Sequence, residues 1–497
     1  MTAAFLLLPS GRWTRIAAHV SGLIVMAISF LQVADTTARL SLARPLNLYL
    51  DLQLASSVVN LLRGTLGDLL GTLALVSGMI LYAAVAILLG TLLATLHPEP
   101  GNRRQTVASA LLLGLVLVAA PLRWIHPRGV VLGLPAVQLT RGQVNHISSM
   151  MLENERFAQE MENVPGRYME TPGLLEGLQG RDLIMAFIES YGISALDDER
   201  YAPIIRPRLE SMGEAFEETG VNVVTGKLVA PSQGGMSWLG HGSILSGLWL
   251  ENQLRYDLLL ASDRQTLIDD FKAAGYRTAA IMPAITMAWP EGDRLGYEKI
   301  YAFQDIQYEG PALNWVTMPD QFTWSYLEQT VRKENPRPLF AEISLISSHA
   351  PWTPILPVLE DWSSIGNGEV FGLFEDAGEA PEELWRDGDR VREHYALAVG
   401  YAIDAMASYA RHYLDDQTVL IALGDHQPAP LITGQEASRA VPVHVIARDP
   451  EVLTPFLDWG FVAGVLPPRT QKVRQMDAFR DWFVNAYSAG QAGDPPL

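Results

Sequence analysis

Three long stretches of the chain carry no charge: 16–34 (IAAHVSGLIVMAISFLQVA), 69–96 (LLGTLALVSGMILYAAVAILLGTLLATL) and 105–122 (QTVASALLLGLVLVAAPL). Each approaches or exceeds the ~20 residues a helix needs to cross a bilayer core, so each predicts a transmembrane span. A shorter apolar run, 52–62 (LQLASSVVNLL), lies between Asp51 and Arg63 and is too short to span, so the segment 49–65 reads as interfacial or re-entrant. The first stretch is too long for a removed signal peptide and lacks a small-residue cleavage site.

After the spans the pattern changes twice. Residues 124–178 read as a helical connector, polar in QLTRGQVNHISSMMLENERFAQEMEN and broken at Pro165 and Pro172. From 179 to 497 short apolar runs alternate with helical patterns. The runs are DLIMAFI (182–188), VNVVTG (221–226), TAAIMPA (278–284), LFAEISLI (339–346), TVLIALG (418–424) and VPVHVIA (441–447). Helical patterns fall at 262–274, 320–333, 391–414 and 474–487, and the Gly-, Pro- and acid-rich stretch 364–390 reads as a surface insertion. Continuous apolar strands alternating with helices predict an α/β domain with a mostly parallel central sheet flanked by helices. The expected organisation is therefore a transmembrane region (1–123), the connector (124–178) and an α/β domain (179–497).

Charge sharpens this division. Up to Arg123 there are eight Arg, no Lys and four acidic residues, whereas the remaining 28 basic and 51 acidic residues make the rest strongly negative. Such an acidic soluble part argues against a nucleic-acid partner, whose phosphates need basic patches. Cysteine is absent, which removes disulfides, zinc-thiolate sites and a cysteine nucleophile. Arg12 and Arg15 precede the first span, and Arg103 and Arg104 lie between the second and third. With both pairs in the cytoplasm the chain crosses three times and its C-terminal domain lies outside. Arg39, Arg44 and Arg63 then also fall outside, and a fourth crossing at 49–65 would reverse the placement.

In such sheets, site residues gather at the carboxyl ends of strands. Glu189-Ser190-Tyr191-Gly192 follows the first run, Ser347-Ser348-His349-Ala350-Pro351-Trp352 follows LFAEISLI, and Asp425-His426-Gln427-Pro428 follows TVLIALG. Asp425 and His426 offer a hard oxygen and an imidazole nitrogen that suit zinc or manganese, and Glu189 adds a second carboxylate. Taken singly, these are also what a solvated turn, a helix-start carboxylate and a loop histidine look like. The stretch GGMSWLGHGSILSG (234–247) supplies a hydroxyl: Ser237 opens a helical run that ends at Gly247. A serine there is a good N-cap. The same position, beside free N–H groups and next to a divalent ion, would make it a nucleophile able to attack phosphorus. His241, one helical turn on, could face the same pocket or sit buried in the helix.

Taken in order, I-E-S-Y-G, S-W-x7-S-G, A-G-Y-R-T (274–278), S-H-A-P-W and G-D-H-Q-P resemble the alkaline phosphatase/sulfatase superfamily. Within it they resemble the membrane-anchored lipoteichoic acid synthase-like and phosphoethanolamine transferase-like branches. The likeness runs over about 180–485, and counting back ten positions from Gly247 in the sulfatase register lands on Ser237. It implies Ser237 as nucleophile and metal ligand, Glu189, Asp425 and His426 as further metal ligands, and His349, Trp315 and His241 on the substrate side. Where the sulfatase pattern has the Pro and Arg that lead to formylglycine, this chain has Leu239 and His241, so an unmodified serine is expected.

The resemblance implies a metal-dependent (Mn, Zn or Mg) transfer of a phospholipid head group, phosphoglycerol-type, to a glycan or other acceptor through a covalent Ser237 intermediate. The setting it implies is the bacterial cytoplasmic (inner) membrane, multi-pass, with the catalytic domain extracytoplasmic. The alternatives are a phosphoethanolamine transferase, a phosphodiesterase or sulfatase-type hydrolase of the same fold, and a degenerate membrane sensor or scaffold.

Overall fold

The computed structural model describes residues 11–52, 59, 62, 63, 67–95, 141–143, 153, 155–161, 168, 170–468, 470 and 473–489. The chain divides into two compact units, one of Met1–Arg39 with Arg44–Glu153, the other of Leu40–Ala43 with Asn154–Leu497.

In the first unit the two leading apolar stretches are helices, α1 (Arg12–Leu42) and α2 (Asp68–Thr95). Small residues bring them together: a Cβ on Gly22 would meet Gly90 N at 2.7 Å, and one on Gly90 would meet His19 Cα at 2.7 Å. Phe30 packs edge-on to Tyr82 at 6.1 Å. Rising positions on α1 meet falling positions on α2, so the pair is antiparallel, joined by the close backbone approach that glycines permit between membrane helices. Only 17 % and 11 % of their apolar windows are buried. Leu23, Val33, Met79 and Leu81 lie exposed, so these are not the covered core helices of a soluble fold. Both are long and apolar enough to cross a membrane. Of the segment 49–65, a short helix Leu48–Asp51 capped by Asn47 is described. The third expected span, 105–122, and most of the connector lie outside the described residues.

The second unit is built on a sheet of nine strands among the described residues: β1 (Asp182–Ile188), β2 (Asn222–Val229), β3 (Arg277–Met282), β4 (Lys299–Ala302), β5 (Leu339–Leu345), β6 (Thr418–Gly424), β7 (Ala440–Ala447), β8 (Val462–Ala463) and β9 (Arg474–Gln475). Their order is β4-β3-β5-β1-β6-β7-β2-β8, with β9 beside β2. The run β4-β3-β5-β1-β6 is parallel throughout. Strand β7 runs antiparallel to both β6 and β2. All six expected strands form, and the sheet is mostly parallel with an antiparallel flank. The strand β1 shows why the runs are continuously apolar: Ile184, Ala186 and Ile188 enter one core layer, while Leu183, Met185 and Phe187 enter the other. Helices α3 (Ala202–Thr219) and α6 (Gly388–Tyr413) cover the first face. Helices α4 (Ser237–Ser246), α5 (Leu267–Ala273) and α7 (Ala478–Tyr487) cover the second. β1 lies between the parallel β5 and β6, so the residues that follow these three strands gather at one edge of the sheet, where sites form in such folds.

One core polar group carries a pH signature. His444 on β7 is fully buried, 3.1 Å from Thr225 Oγ1 at Nδ1 and 3.1 Å from Tyr191 Oη at Nε2. The Thr225 hydroxyl donates to the Gly464 carbonyl, so it accepts from Nδ1–H, and Nε2 accepts from Tyr191. The neutral ring is therefore satisfied on both edges, and burial lowers its pKa to about 4. Because the folded value lies below the unfolded one, this stabilisation is complete above about pH 6.5 and fades as pH falls toward 4. His444→Gln should flatten the fall in melting temperature across that window, removing a pH-dependent component on the order of 3 kcal/mol. Parallel wild-type and variant melting curves across that window would contradict this reading.

Candidate active site

The carboxyl ends of β1, β5 and β6 collect the polar residues that follow the apolar strands. Glu189 comes directly after β1, and Ser190 turns the chain with φ 55°. Asp425 and His426 come directly after β6. A Cβ on Gly424 would sit 1.9 Å from the Tyr191 carbonyl, so only glycine lets the two strand ends approach this closely. Asp425 Oδ1 accepts from the backbone N–H groups of Ser190 (2.8 Å) and His426 (2.7 Å), which fixes the carboxylate. His426 Nδ1 lies 2.9 Å from the Gln427 carbonyl; with its proton there, Nε2 carries the lone pair. Nε2 sits 3.6 Å from Glu189 Oε1 and 3.6 Å from Asp425 Oδ2.

Ser237 reaches this group from the opposite side. The chain turns at Gly234 (φ 76°), Gly235 (φ 148°) and Met236 (φ 62°), and Ser237 becomes the first residue of α4. It does not cap the helix: Met236 holds the cap position, with no side-chain cap bond. The hydroxyl instead donates to Glu189 Oε2 at 3.4 Å and lies 3.3 Å from His426 Nε2. Gly240 keeps the helix close, because a Cβ there would be 2.7 Å from the Asp425 carbonyl.

Ligand atoms of Glu189, Asp425 and His426 lie within 4.8 Å of one another. Their electrostatics fit a cation. Burial and then the nearby Glu189 push Asp425 up to about 6. Burial also opposes ionisation of Glu189, but His426 and His349 outweigh it and hold its carboxyl below the usual range. Burial works against charge on His426, and Asp425 and Glu189 overcome it, raising its pKa. Two carboxylates crowded beside one imidazole lone pair and a hydroxyl form a hard O/N donor set, whose mutual repulsion a divalent ion relieves. Glu189, Asp425, His426 and Ser237 are the residues that would hold it.

His349 is exposed at the rim, tied to the cluster through Ser348, whose hydroxyl donates to the Glu189 carbonyl at 2.6 Å. The ring of Trp315, 41 % exposed, lies 6.3 Å from the His349 ring. His241 stands apart from the metal-ligand group. Its Nδ1 bonds Glu342 at 2.6 Å, its Nε2 is buried, and its ring stacks on Phe187 at 3.7 Å. Glu342 and its second partner, Tyr297, were not among the expected site residues. A lone carboxylate inside the apolar run LFAEISLI was the available signal.

Residues 242–457 match the sulfatase family. The matched stretch takes in β3 to β7 of the second unit. The matched residues include Trp315, Glu342, His349, Asp425 and His426, and begin just after Ser237 and His241. No curated protein sequence matches the chain. Similar solved structures include the lipoteichoic acid synthase LtaP from Listeria monocytogenes (14 % identity, 57 % of this chain and 69 % of that one, TM-score 0.38). The integral membrane lipooligosaccharide phosphoethanolamine transferase EptA from Neisseria meningitidis is similar over 98 % of this chain and 86 % of its own (11 % identity, TM-score 0.48). The Streptococcus pyogenes phosphoglycerol transferase GacH, solved with sn-glycerol-1-phosphate, is similar over 69 % of this chain and 81 % of its own (15 % identity, TM-score 0.39).

Proposed function

We propose that this protein is a metal-dependent phosphotransferase that moves a phospholipid head group, of the phosphoglycerol type, to a glycan acceptor at the outer face of a bacterial inner membrane. The observation that carries this reading is the Ser237 hydroxyl, which leaves the helix uncapped and points at Glu189 and His426. The match of residues 242–457 to the sulfatase family supports the chemistry. The lipid-suited faces of α1 and α2 support a membrane setting close to the donor, where tethering raises the effective donor concentration.

A divalent ion held by Glu189, Asp425, His426 and Ser237 would supply charge to lower the hydroxyl pKa and to offset the anionic phosphoryl group. Ser237 Oγ forms a bond to phosphorus as the bond to the diacylglycerol oxygen breaks, and that oxygen takes up a proton. The head group is then an ester of Ser237. An acceptor hydroxyl attacks the same phosphorus, its oxygen displaces Oγ, and Ser237 regains a proton. His349, exposed beside Trp315, is placed to bind the head group or to move the acceptor proton. Leu239 and His241 in the positions of the formylglycine pattern argue against sulfate-ester hydrolysis.

The test is incubation of the full-length protein with head-group-labelled phosphatidylglycerol and Mn, with and without a glycan acceptor. Transfer predicts label on the acceptor, equimolar diacylglycerol, and loss of both on chelation. Release of soluble glycerol phosphate at the same rate with and without acceptor would make the protein a hydrolase instead. Phosphatidylethanolamine as the better donor would move it to the phosphoethanolamine class.

A further inference from the structure

Behind the nucleophile lies a second polar group that the transfer step does not use. Glu342 sits in the middle of β5, paired with Met185 on β1 and Ala280 on β3, and is 1 % exposed. A carboxylate buried between a sheet and its covering helix is costly, and apolar residues of similar volume are often at least as stable. Both of its oxygens are engaged. Oε1 takes His241 Nδ1 at 2.6 Å, and Oε2 takes the Tyr297 hydroxyl. The His241 ring is held on its face as well, stacked within 15° of parallel on Phe187, two residues before Glu189. Its Nε2 is buried with no hydrogen-bond partner among the described residues.

The neighbours of His241 show what this clamp controls. One residue earlier, Gly240 lies against the Asp425 carbonyl so closely that no Cβ fits. Four residues earlier on the same helix face stands Ser237. A rotation of α4 that moved the His241 ring would therefore shift Ser237 relative to Glu189, and would press on or release Asp425.

We propose that His241, Glu342 and Tyr297 form a buried positioning chain that sets α4 against Asp425, and so fixes the nucleophile and the metal ligands at their working distances. It makes His241 a positioning residue, with no contact to substrate. The inference rests on the metal-site reading above and extends it to residues behind the site.

Tyr297→Phe removes one oxygen and keeps the shape, so it is the variant least prone to misfolding; Glu342→Gln removes the charge. Each should lower kcat by about tenfold to a hundredfold while KM stays within about twofold. Each should also weaken Mn or Zn binding by a comparable factor, measured by chelator competition on the full-length protein in detergent. Because the residues act through one chain, the double variant should fall no further than Glu342→Gln alone. Wild-type metal affinity and kcat in both variants would overturn the proposal, as would fully additive losses. A wild-type protein that binds metal but transfers no head group would sink the transferase reading, while the metal-affinity comparison would still decide the positioning chain. A wild-type protein that binds no divalent metal would overturn both.

Discussion

Ser237→Ala should abolish head-group transfer while leaving a folded protein. The side chain contributes no cap to α4, and its hydrogen bonds to Glu189 and His426 are long, at 3.4 and 3.3 Å. Loss of two weak contacts at a partly open position should change stability by no more than about 1 kcal/mol. Removing a covalent nucleophile has a different scale of effect, on the order of a million-fold in kcat. The contrast between the two readouts is the informative part. Transfer that survives in purified Ser237→Ala protein would reject the covalent mechanism, and a large drop in melting temperature would show that the serine was holding the helix after all.

The largest effect on the fold is expected at Arg480. This arginine on α7 and Asp270 on α5 are both 0 % exposed and share two hydrogen bonds, at 2.8 and 3.1 Å. The guanidinium also lies 5.3 Å from the Tyr168 ring. Arg480→Leu leaves the Asp270 carboxylate buried without its counter-charge. The cost should be about 3–5 kcal/mol, read as a shift in the denaturation midpoint of the second unit. Adding Asp270→Leu should recover most of that loss, because the penalty belongs to the stranded charge rather than to the pair. A single variant as stable as wild type would show that Asp270 is not ionised in the native state.

Much of this architecture was legible along the chain because burial on both faces forces strands to be apolar throughout. DLIMAFI and TVLIALG became β1 and β6 at the expected residues. Strand direction was not legible in the same way. A strand apolar on both sides reads alike in either orientation, so the antiparallel β7 could not be told from its parallel neighbours. The short strands β4, β8 and β9 carry too few residues to show a period. The helix expected over 262–274 forms only as α5, from Leu267, because Thr266 and Asp269 make a capping box that starts it there; the separate helix Gln253–Ala261 just before it was not expected. The pattern at 320–333 is an α-helix, Asp320–Tyr326, that widens into a π-turn over Leu327–Val331.

The site divides along the same line. Glu189, Asp425 and His426 stand out because polar residues directly follow apolar runs, and the structure brings their ligand atoms within 4.8 Å. Ser237 was visible only through its spacing to Gly247, and its plainer role as an N-cap is filled by Met236. His241 could be read as facing the pocket or as buried in the helix; its Nδ1 bonds Glu342, a contact 101 residues away in sequence that no local pattern encodes.

The central claim is that Ser237 carries the head group between donor and acceptor. The most direct measurement is intact mass spectrometry of the full-length protein, incubated with phosphatidylglycerol and metal but no acceptor, followed by peptide mapping. The account predicts a single glycerol-phosphate adduct on Ser237, absent from Ser237→Ala and discharged when acceptor is added. Turnover of the lipid with Ser237 unmodified at every time point, or an adduct on another residue, would contradict it.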